Sequence, residues 1–209
     1  MAFTDLFTNL NLMLRWLHVL AGIAWIGHLY FFNFVNLQLQ AALDDAGKKA
    51  VNPKLMPRAL WWFRWGAMIT FLAGWALFAM NYMYTEGVGW GPSILFMDED
   101  GITQRAIWIL FGMTLGTIMW FNVWFIIWPI QKKILSGRAT PEELPAIRRT
   151  AYLASRANTY LSGPMLVGML AAGHFPGGFT VAGLLGTSAL ALAVVWVAIF
   201  HADRVGASV

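Results

Sequence analysis

The chain has 209 residues, of which 59% are hydrophobic and 11% charged, and its mean hydropathy is +0.60. Soluble domains carry about 25% charged residues, so this composition excludes a soluble globular enzyme and indicates an integral protein of the lipid bilayer. The sequence contains no cysteine, which excludes disulfides, iron–sulfur clusters, thiolate zinc sites and covalently attached c-type haem. The formal charge of +4 does not indicate nucleic-acid binding, because membrane topology accounts for the basic loops.

Five apolar stretches are each near or above the roughly 20 residues that a helix needs to cross a bilayer. They predict an all-α integral membrane protein with a single domain over residues 1–209. The predicted architecture is a bundle of five transmembrane helices. These helices are expected at about residues 12–37, 60–84, 102–130, 150–172 and 179–202.

The basic residues lie almost entirely on one side of these spans. All of the 14 Lys and Arg residues except Arg15 and Arg105 belong to the first-to-second connection, the third-to-fourth connection, the adjoining helix ends or the C-terminal tail. Loops rich in Lys and Arg stay in the cytoplasm. The sequence therefore predicts that the N-terminus is outside and that the C-terminus is cytoplasmic.

The first predicted helix carries ionisable side chains inside its apolar run. Such groups are costly in hydrocarbon and usually face a protein interior, a cofactor or a water path. Steps of four and three residues define one face of this helix. The residues on that face are Asn11, Arg15, His18, Gly22, Trp25, Leu29, Phe32 and Asn36. We expect this face to point into the bundle and not at lipid.

The four histidines fall at two predicted depths. His18 and His28 lie about 15 Å apart along the helix and about 80° apart around it, so they cannot bind one metal ion. The predicted topology places His18 near the depth of His174, and His28 near the depth of His201. Axial histidines from different helices of a bundle can hold a b-type haem.

The favoured interpretation is a haem b site with His18 and His174 as ligands of the iron. Arg15, one turn before His18, would pair with a haem propionate. Gly22 would leave space for the flat macrocycle, and Trp25 would pack near it.

Two alternatives to that site remain open. His28 could hold a cofactor at the second depth. His18 could instead form a hydrogen bond within the bundle, for example with Asn122 or Asn158, and bind nothing. A proton-coupled transporter is disfavoured, because no Asp or Glu lies inside the predicted spans.

Several short motifs occur in a characteristic order along the chain. They are Arg15-Trp-Leu-His18-Val, Ile23-Ala-Trp-Ile-Gly27, Trp62-Phe-Arg-Trp65, Thr117-Ile-Met-Trp-Phe-Asn122-Val, Trp128-Pro-Ile-Gln-Lys132, Gly137-Arg138, Asn158-Thr-Tyr-Leu161, Pro164 and His174-Phe-Pro176. Together they resemble the membrane domain of the bacterial membrane-bound urate hydroxylase (urate oxidase) family. The resemblance covers the chain from about Arg15 to Pro176.

The resemblance implies a redox role in the inner membrane of a bacterium, with electrons passed to a separate cytochrome or membrane-complex partner. It also implies a short stand-alone form without the cytochrome c tail of longer members. His18 and His174 match histidines of the family. Two other histidine positions of the family are occupied here by the Ile107–Phe111 segment and by Ala157, so the sequence leaves open whether the chain is an enzyme.

A non-catalytic accessory subunit of a larger membrane complex is the alternative function. The helices are rich in aromatic residues and have few buried polar groups for five spans. Trp120, Trp124 and Trp128 would form a face on which the helices of a partner could dock.

Overall fold

The computed structural model describes residues 5–175 and 178–206. The first helical stretch runs without a break from Leu6 to Ala42. It comprises α1 (Leu6–Tyr30), a π-helical turn, π1 (Phe31–Asn36), and α2 (Leu37–Ala42). The side chain of Asp5 accepts a hydrogen bond from the backbone of Thr8 and so caps α1.

The second long helix, α3 (Asp45–Tyr82), begins at residue 45 rather than at the predicted residue 60. Asp44 caps it by accepting a hydrogen bond from the backbone of Gly47. The extra turns carry several lysines, so they are too polar to count as part of an apolar span. A helix of this length exceeds the roughly 30 Å of hydrocarbon that a bilayer offers, and hydropathy located only its apolar part.

Two short hairpins connect α3 to the next helix. Strands β1 (Tyr84–Thr85) and β2 (Gly89–Trp90) pair antiparallel, as do β3 (Met97–Asp98) and β4 (Gly101–Ile102). The third helical stretch then comprises α4 (Gln104–Phe121), the turn π2 (Asn122–Ile127) and α5 (Trp128–Leu135). The last two helices are α6 (Leu144–His174) and α7 (Val181–His201).

In the described part of the chain, four of the five helical stretches are long and apolar enough to cross a membrane; they cover residues 6–42, 45–82, 104–135 and 181–201. The prediction of a multi-pass helical membrane protein is therefore confirmed. The remaining helix, α6, has 31 residues but a more polar sequence. Its Asn158, Thr159 and Ser162 side chains are fully buried, which places the polar face of α6 inside the bundle.

Glycines permit close packing within two pairs of helices. A Cβ atom at Gly66 of α3 would lie 3.0 Å from the backbone nitrogen of Trp25 in α1. A Cβ atom at Gly168 of α6 would lie 2.8 Å from the backbone nitrogen of Gly112 in α4. The bundle is therefore built from an α1/α3 pair and an α4/α6 pair, and α7 packs on the outer side of α6.

The best-packed part of the interior lies where both π turns meet α6. Its buried hydrophobic residues are Trp25, Leu29, Leu60, Phe63, Ala67, Met119, Val123, Ile127 and Met165. The other end of the same four helices, towards the beginning of α1, is less completely filled.

Candidate cofactor site

A cavity of about 510 Å³ lies between α1, α3, α4 and α6, and it opens to the outside of the bundle, where the exposed side chains of Val19, Ile23 and Leu170 belong to its lining. Its walls are almost entirely apolar. Its lining includes His18, Gly22, Trp25, Gly27, Thr70, Gly74, Met113, Gly116, Thr117, Met165 and Met169. The volume falls within the range of roughly 300–1,000 Å³ that is typical of small-molecule and cofactor sites.

The predicted inner face of α1 is confirmed from His18 to Asn36, whereas Arg15, at the N-terminal end of that face, is exposed. Trp25 and Leu29 are buried, and His18 and Gly22 line the cavity. Trp25 is 3% exposed, yet its indole nitrogen has no hydrogen-bond partner among the described residues. Because buried polar groups are normally paired, this N–H is a donor that the protein itself leaves unused beside the cavity.

His18 is held by a contact between two helices. Its Nδ1–H donates a hydrogen bond to the backbone carbonyl of Thr70 in α3, with 2.9 Å between the two atoms. A carbonyl only accepts hydrogen bonds, so this contact places the proton on Nδ1 and leaves the lone pair on Nε2. Metal-binding histidines usually have their second nitrogen fixed in this way.

Gly74 makes the contact between His18 and α3 sterically allowed. A Cβ atom at Gly74 would lie 2.9 Å from Cε1 of His18 and 3.2 Å from its Nδ1. Gly22 contributes space instead of a close contact, because a Cβ atom there would find only the Thr70 side chain, at 3.9 Å or more.

Arg15 lies one helical turn from His18, in a small polar network. Its Nε donates to Asn11 Oδ1 at 2.6 Å, and its Nη2 donates to Asn81 Oδ1 at 3.1 Å. Asn11 also donates to Asn81. Neither amide carries a charge, and the ion pair found in the described part of the chain, Lys133–Glu143, does not involve Arg15. The guanidinium therefore has no anionic partner in that part of the chain.

The other three histidines bond only to their own helices. Their Nδ1–H groups donate to backbone carbonyls four residues earlier: His28 to Ala24, His174 to Leu170, and His201 to Val197. None of the three lines the cavity. The structure thus separates His18 from the other histidines, and the roles predicted for His174 and His28 stay predictions.

The alternative interpretation suggested Asn122 or Asn158 as the hydrogen-bond partner of His18. In the structure that partner is the backbone carbonyl of Thr70. Asn122 donates to Asn158 at 2.8 Å, and Asn158 donates to the carbonyl of Met119 at 2.9 Å. These two amides satisfy each other and the backbone in the packed interior. The polar contact of His18 is instead made to Thr70, which leaves one ring nitrogen available.

The tryptophans suggested as a docking surface contact other residues of the same chain. Trp120 stacks on Phe71 with ring centroids 4.2 Å apart. Trp124 donates its indole N–H to the carbonyl of Arg64, and the guanidinium of Arg64 lies 3.6 Å from the ring centroid of Trp128. These contacts join α3 to the α4–α5 stretch, so they do not support a partner on this face.

Comparison with known proteins identifies the family. The chain matches the family model described as urate oxidase N-terminal over residues 4–50 and 92–205. The chain belongs to the urate oxidase N-terminal family. No curated protein and no solved structure matches it.

The family match confirms the resemblance inferred from the motifs and refines its extent. The part matched to the urate oxidase N-terminal family contains Arg15, His18 and His174, but it leaves out residues 51–91. The omitted segment includes the Trp62–Trp65 motif and much of α3. It therefore also includes Thr70 and Gly74, which position His18 in this chain.

Sequence reasoning missed four residues of the site: Thr70, Gly74, Met113 and Met169. Thr70 and Gly74 are one turn apart in an apolar helix, and nothing local distinguishes them from packing residues. For Met169 the sequence offered a weak signal: Met165 and Met169 are four residues apart and so share one face of α6.

Proposed function

We propose that this protein is a membrane redox protein that binds b-type haem in the cavity and passes electrons to a separate partner. The observation that carries the proposal is the hydrogen bond from His18 to Thr70. It orients the imidazole from outside its own helix and leaves Nε2 free as an axial ligand. Haem bound there would supply a one-electron couple inside the membrane.

The residues present fit a haem in three respects. The cavity walls are apolar, which suits the macrocycle. Glycines on both walls, Gly22 and Gly74 on one side and Gly116 on the other, keep backbone close to the space. Arg15 is exposed and does not line the cavity, but it has no carboxylate partner among the described residues, so it would pair with a propionate that extends beyond His18.

The cavity is a poor match for a purine such as urate, although the family name refers to urate oxidase. A purine with several ring nitrogens and oxygens needs a matching set of donors and acceptors, because unpaired polar groups weaken binding. Apart from indole nitrogens, His18, Thr70 and Thr117 are the lining side chains with polar atoms. Thr70 already donates to the carbonyl of Gly66. We therefore assign this cavity to electron transfer and not to urate oxidation.

The proposed orientation follows from charge. The connections carrying most Lys and Arg residues are assigned to the cytoplasm of a bacterium by the positive-inside rule. The cavity and Arg15 then lie nearer the outer face of the inner membrane. A cytochrome or another subunit on that side would be the electron partner.

The test is a visible spectrum of the purified protein, made with an adequate supply of haem. We expect a Soret band in the wild type and its loss in His18→Ala. His28→Ala is the matched control, because His28 lies on the same helix but donates only to its own backbone. This control should keep the band.

A haem stoichiometry measured on the same samples completes the test. Circular dichroism should show that both variants remain helical. The proposal is wrong if the wild type contains no haem, or if His18→Ala binds haem with an unchanged spectrum.

A further inference from the structure

The end of the cavity that faces the π turns is closed by packed side chains. Trp25 and Met165 line the cavity and also belong to the hydrophobic core, together with Leu29, Phe63 and Met119. Each of these five residues is at most 5% exposed. A ligand therefore does not reach the cavity from this end.

Aromatic rings pack beyond the opposite end, between the cavity and the connections outside the spans. Phe78 lies one turn beyond the lining residue Gly74, and Trp108, which is 1% exposed, lies beyond the lining residue Met113. Their ring partners come from the end of α3 and from both outer connections, with centroids 5.3–6.0 Å apart: Tyr82 and Phe96 for Phe78, and Phe175 and Phe179 for Trp108. These rings separate the cavity from water at that end.

The side of the cavity between α3 and α4 is also covered by rings. Phe71 and Trp75 of α3 line the cavity, and their ring centroids are 6.2 Å apart. Phe71 stacks on Trp120 of the next helical stretch, with ring centroids 4.2 Å apart and an interplanar angle of 7°. This stack joins the two helices and closes the gap between them.

The side between α1 and α6 is open. Its edges are four aliphatic side chains that line the cavity and are also 40–66% exposed on the surface of the bundle: Val19, Ile23, Leu166 and Leu170. We call these four residues the lateral opening. The described hydrogen bonds from the first helical stretch to α6 are made by Tyr30 and Asn33, about two turns or more from Ile23, so neither of them bridges the lateral opening.

The lateral opening faces lipid. Val19 lies one turn further into the span than Arg15, and Leu170 lies one turn further in than His174. Aliphatic side chains on the outside of a bundle at such depths contact acyl chains. A molecule dissolved in the bilayer meets no polar barrier on this side, whereas a molecule in water would have to pass the aromatic rings or the packed core.

We propose that the cavity takes up its ligand sideways from the bilayer through the lateral opening, so that the ligand is a membrane-dissolved and largely apolar molecule. The inference rests on the proposed function for the identity of that molecule, b-type haem, whose macrocycle is apolar. The route itself rests on the shape of the cavity. It gives a second reason why a water-soluble purine does not suit this site.

The first test of the route needs no haem. Because the sequence has no cysteine, Gly22→Cys and Leu20→Cys each provide one site for a nitroxide label. Gly22 lines the cavity, whereas Leu20 is on the lipid-facing surface of α1 and does not line it. In phosphatidylcholine vesicles, EPR power saturation should show both labels accessible to oxygen, which dissolves in lipid, and inaccessible to a water-soluble nickel chelate. A Gly22 label that is accessible to the chelate, or to neither reagent, overturns the inference.

The second test follows the Soret band as apoprotein in phosphatidylcholine vesicles takes up haem from the lipid of donor vesicles. Ile23→Trp narrows the lateral opening and should slow the uptake by about tenfold, since a narrower entrance lowers the association rate. The final spectrum should be unchanged. Leu20→Trp is the matched control, because it adds the same side chain to the same helix outside the lining, and it should take up haem at the wild-type rate.

Equal uptake rates for Ile23→Trp and Leu20→Trp would overturn the lateral route and leave the haem proposal intact. A wild type that takes up no haem would remove the proposed function, while the EPR measurement would still decide the route.

Discussion

The four helices α1, α3, α4 and α6 are separated by a cavity near His18 but packed tightly around Asn158. In the packed half, Phe63, Met119, Val123 and Asn158 are at most 2% exposed. In the hollow half, glycines line the walls and leave about 510 Å³ unfilled. Exposed residues such as Ile23 and Leu170 belong to its lining, so the hollow half is a cleft that opens to the outside of the bundle, whereas the packed half is closed.

Polar groups follow the same division. In the packed half, Asn33 donates to the carbonyl of Leu29 and to Ser155, and Asn158 donates to the carbonyl of Met119. These carbonyls precede the π turns, where the backbone hydrogen bonds shift by one residue. In the hollow half, Nε2 of His18 has no partner within the described residues. These hydrogen bonds of the packed half join different helices, whereas the free ring nitrogen of His18 takes part in no such contact.

The largest expected loss of stability comes from Asn158→Leu in the packed half. The change removes the acceptor of the Asn122 side-chain amide and one of the two donors to the carbonyl of Met119, which keeps the backbone N–H of Asn122. An amide left unpaired in the interior costs about 1–3 kcal/mol. Thermal unfolding in detergent should show a clearly lower midpoint than for wild type.

Thr114→Val provides the control for that experiment. Thr114 is exposed and donates only to Leu110 of its own helix, so its change should alter stability by less than about 0.5 kcal/mol. Equal midpoints for the two variants would contradict the structural role assigned to the packed half.

The next effect is on ligand affinity in the hollow half. In Gly74→Ala the new methyl group would lie 2.9 Å from His18, so the imidazole must move away from Thr70. Loss of such an orienting contact typically lowers metal affinity by about 10–100-fold. Haem titration of the apoprotein should show this decrease.

Gly186→Ala is the matched control, because Gly186 of α7 does not line the cavity and a Cβ atom there has no neighbour within 4 Å. It should bind haem as the wild type does. If both glycine variants bound haem equally, the positioning role of Gly74 would be excluded.

A last comparison concerns the stability changes expected at two glycines in the α1/α3 contact. Gly66→Ala would push against the backbone of Trp25 and Ala21, at 3.0 and 3.2 Å, and should cost about 1–3 kcal/mol. Gly22→Ala meets only a side chain at 3.9 Å and should gain roughly 0.5–1 kcal/mol from helix propensity. Unfolding of the apoprotein should therefore give shifts of opposite sign, and shifts of the same sign would argue against a hollow half.

Much of the fold was predictable because hydropathy and helical period are local properties. The apolar runs located the spans, and the spacing from Asn11 to Leu29 identified the inner face of α1. The N-terminal extension of α3 was missed because a charged helix outside the bilayer has no apolar signature. The π turns were missed as well, since nothing in the local sequence distinguishes them from α-helix.

Of the residues predicted for the candidate site, those that line the cavity all belong to α1, and the predicted His174 of α6 does not line it. Arg15, His18, Gly22 and Trp25 follow one helical face, so their proximity is a consequence of α-helix geometry. The partners of His18 on α3 are 52 residues or more away in the chain, and no spacing rule links such distant positions.

The sequence by itself determined the membrane class, the approximate spans and the inward face of the first helix. The tertiary structure decided which nitrogen of His18 is free, which glycines leave the cavity open, and on which side the cavity opens. The physical reason is that helical periodicity relates residues only a few turns apart. The depth at which two helices meet depends on the packing of glycines such as Gly66 and Gly168.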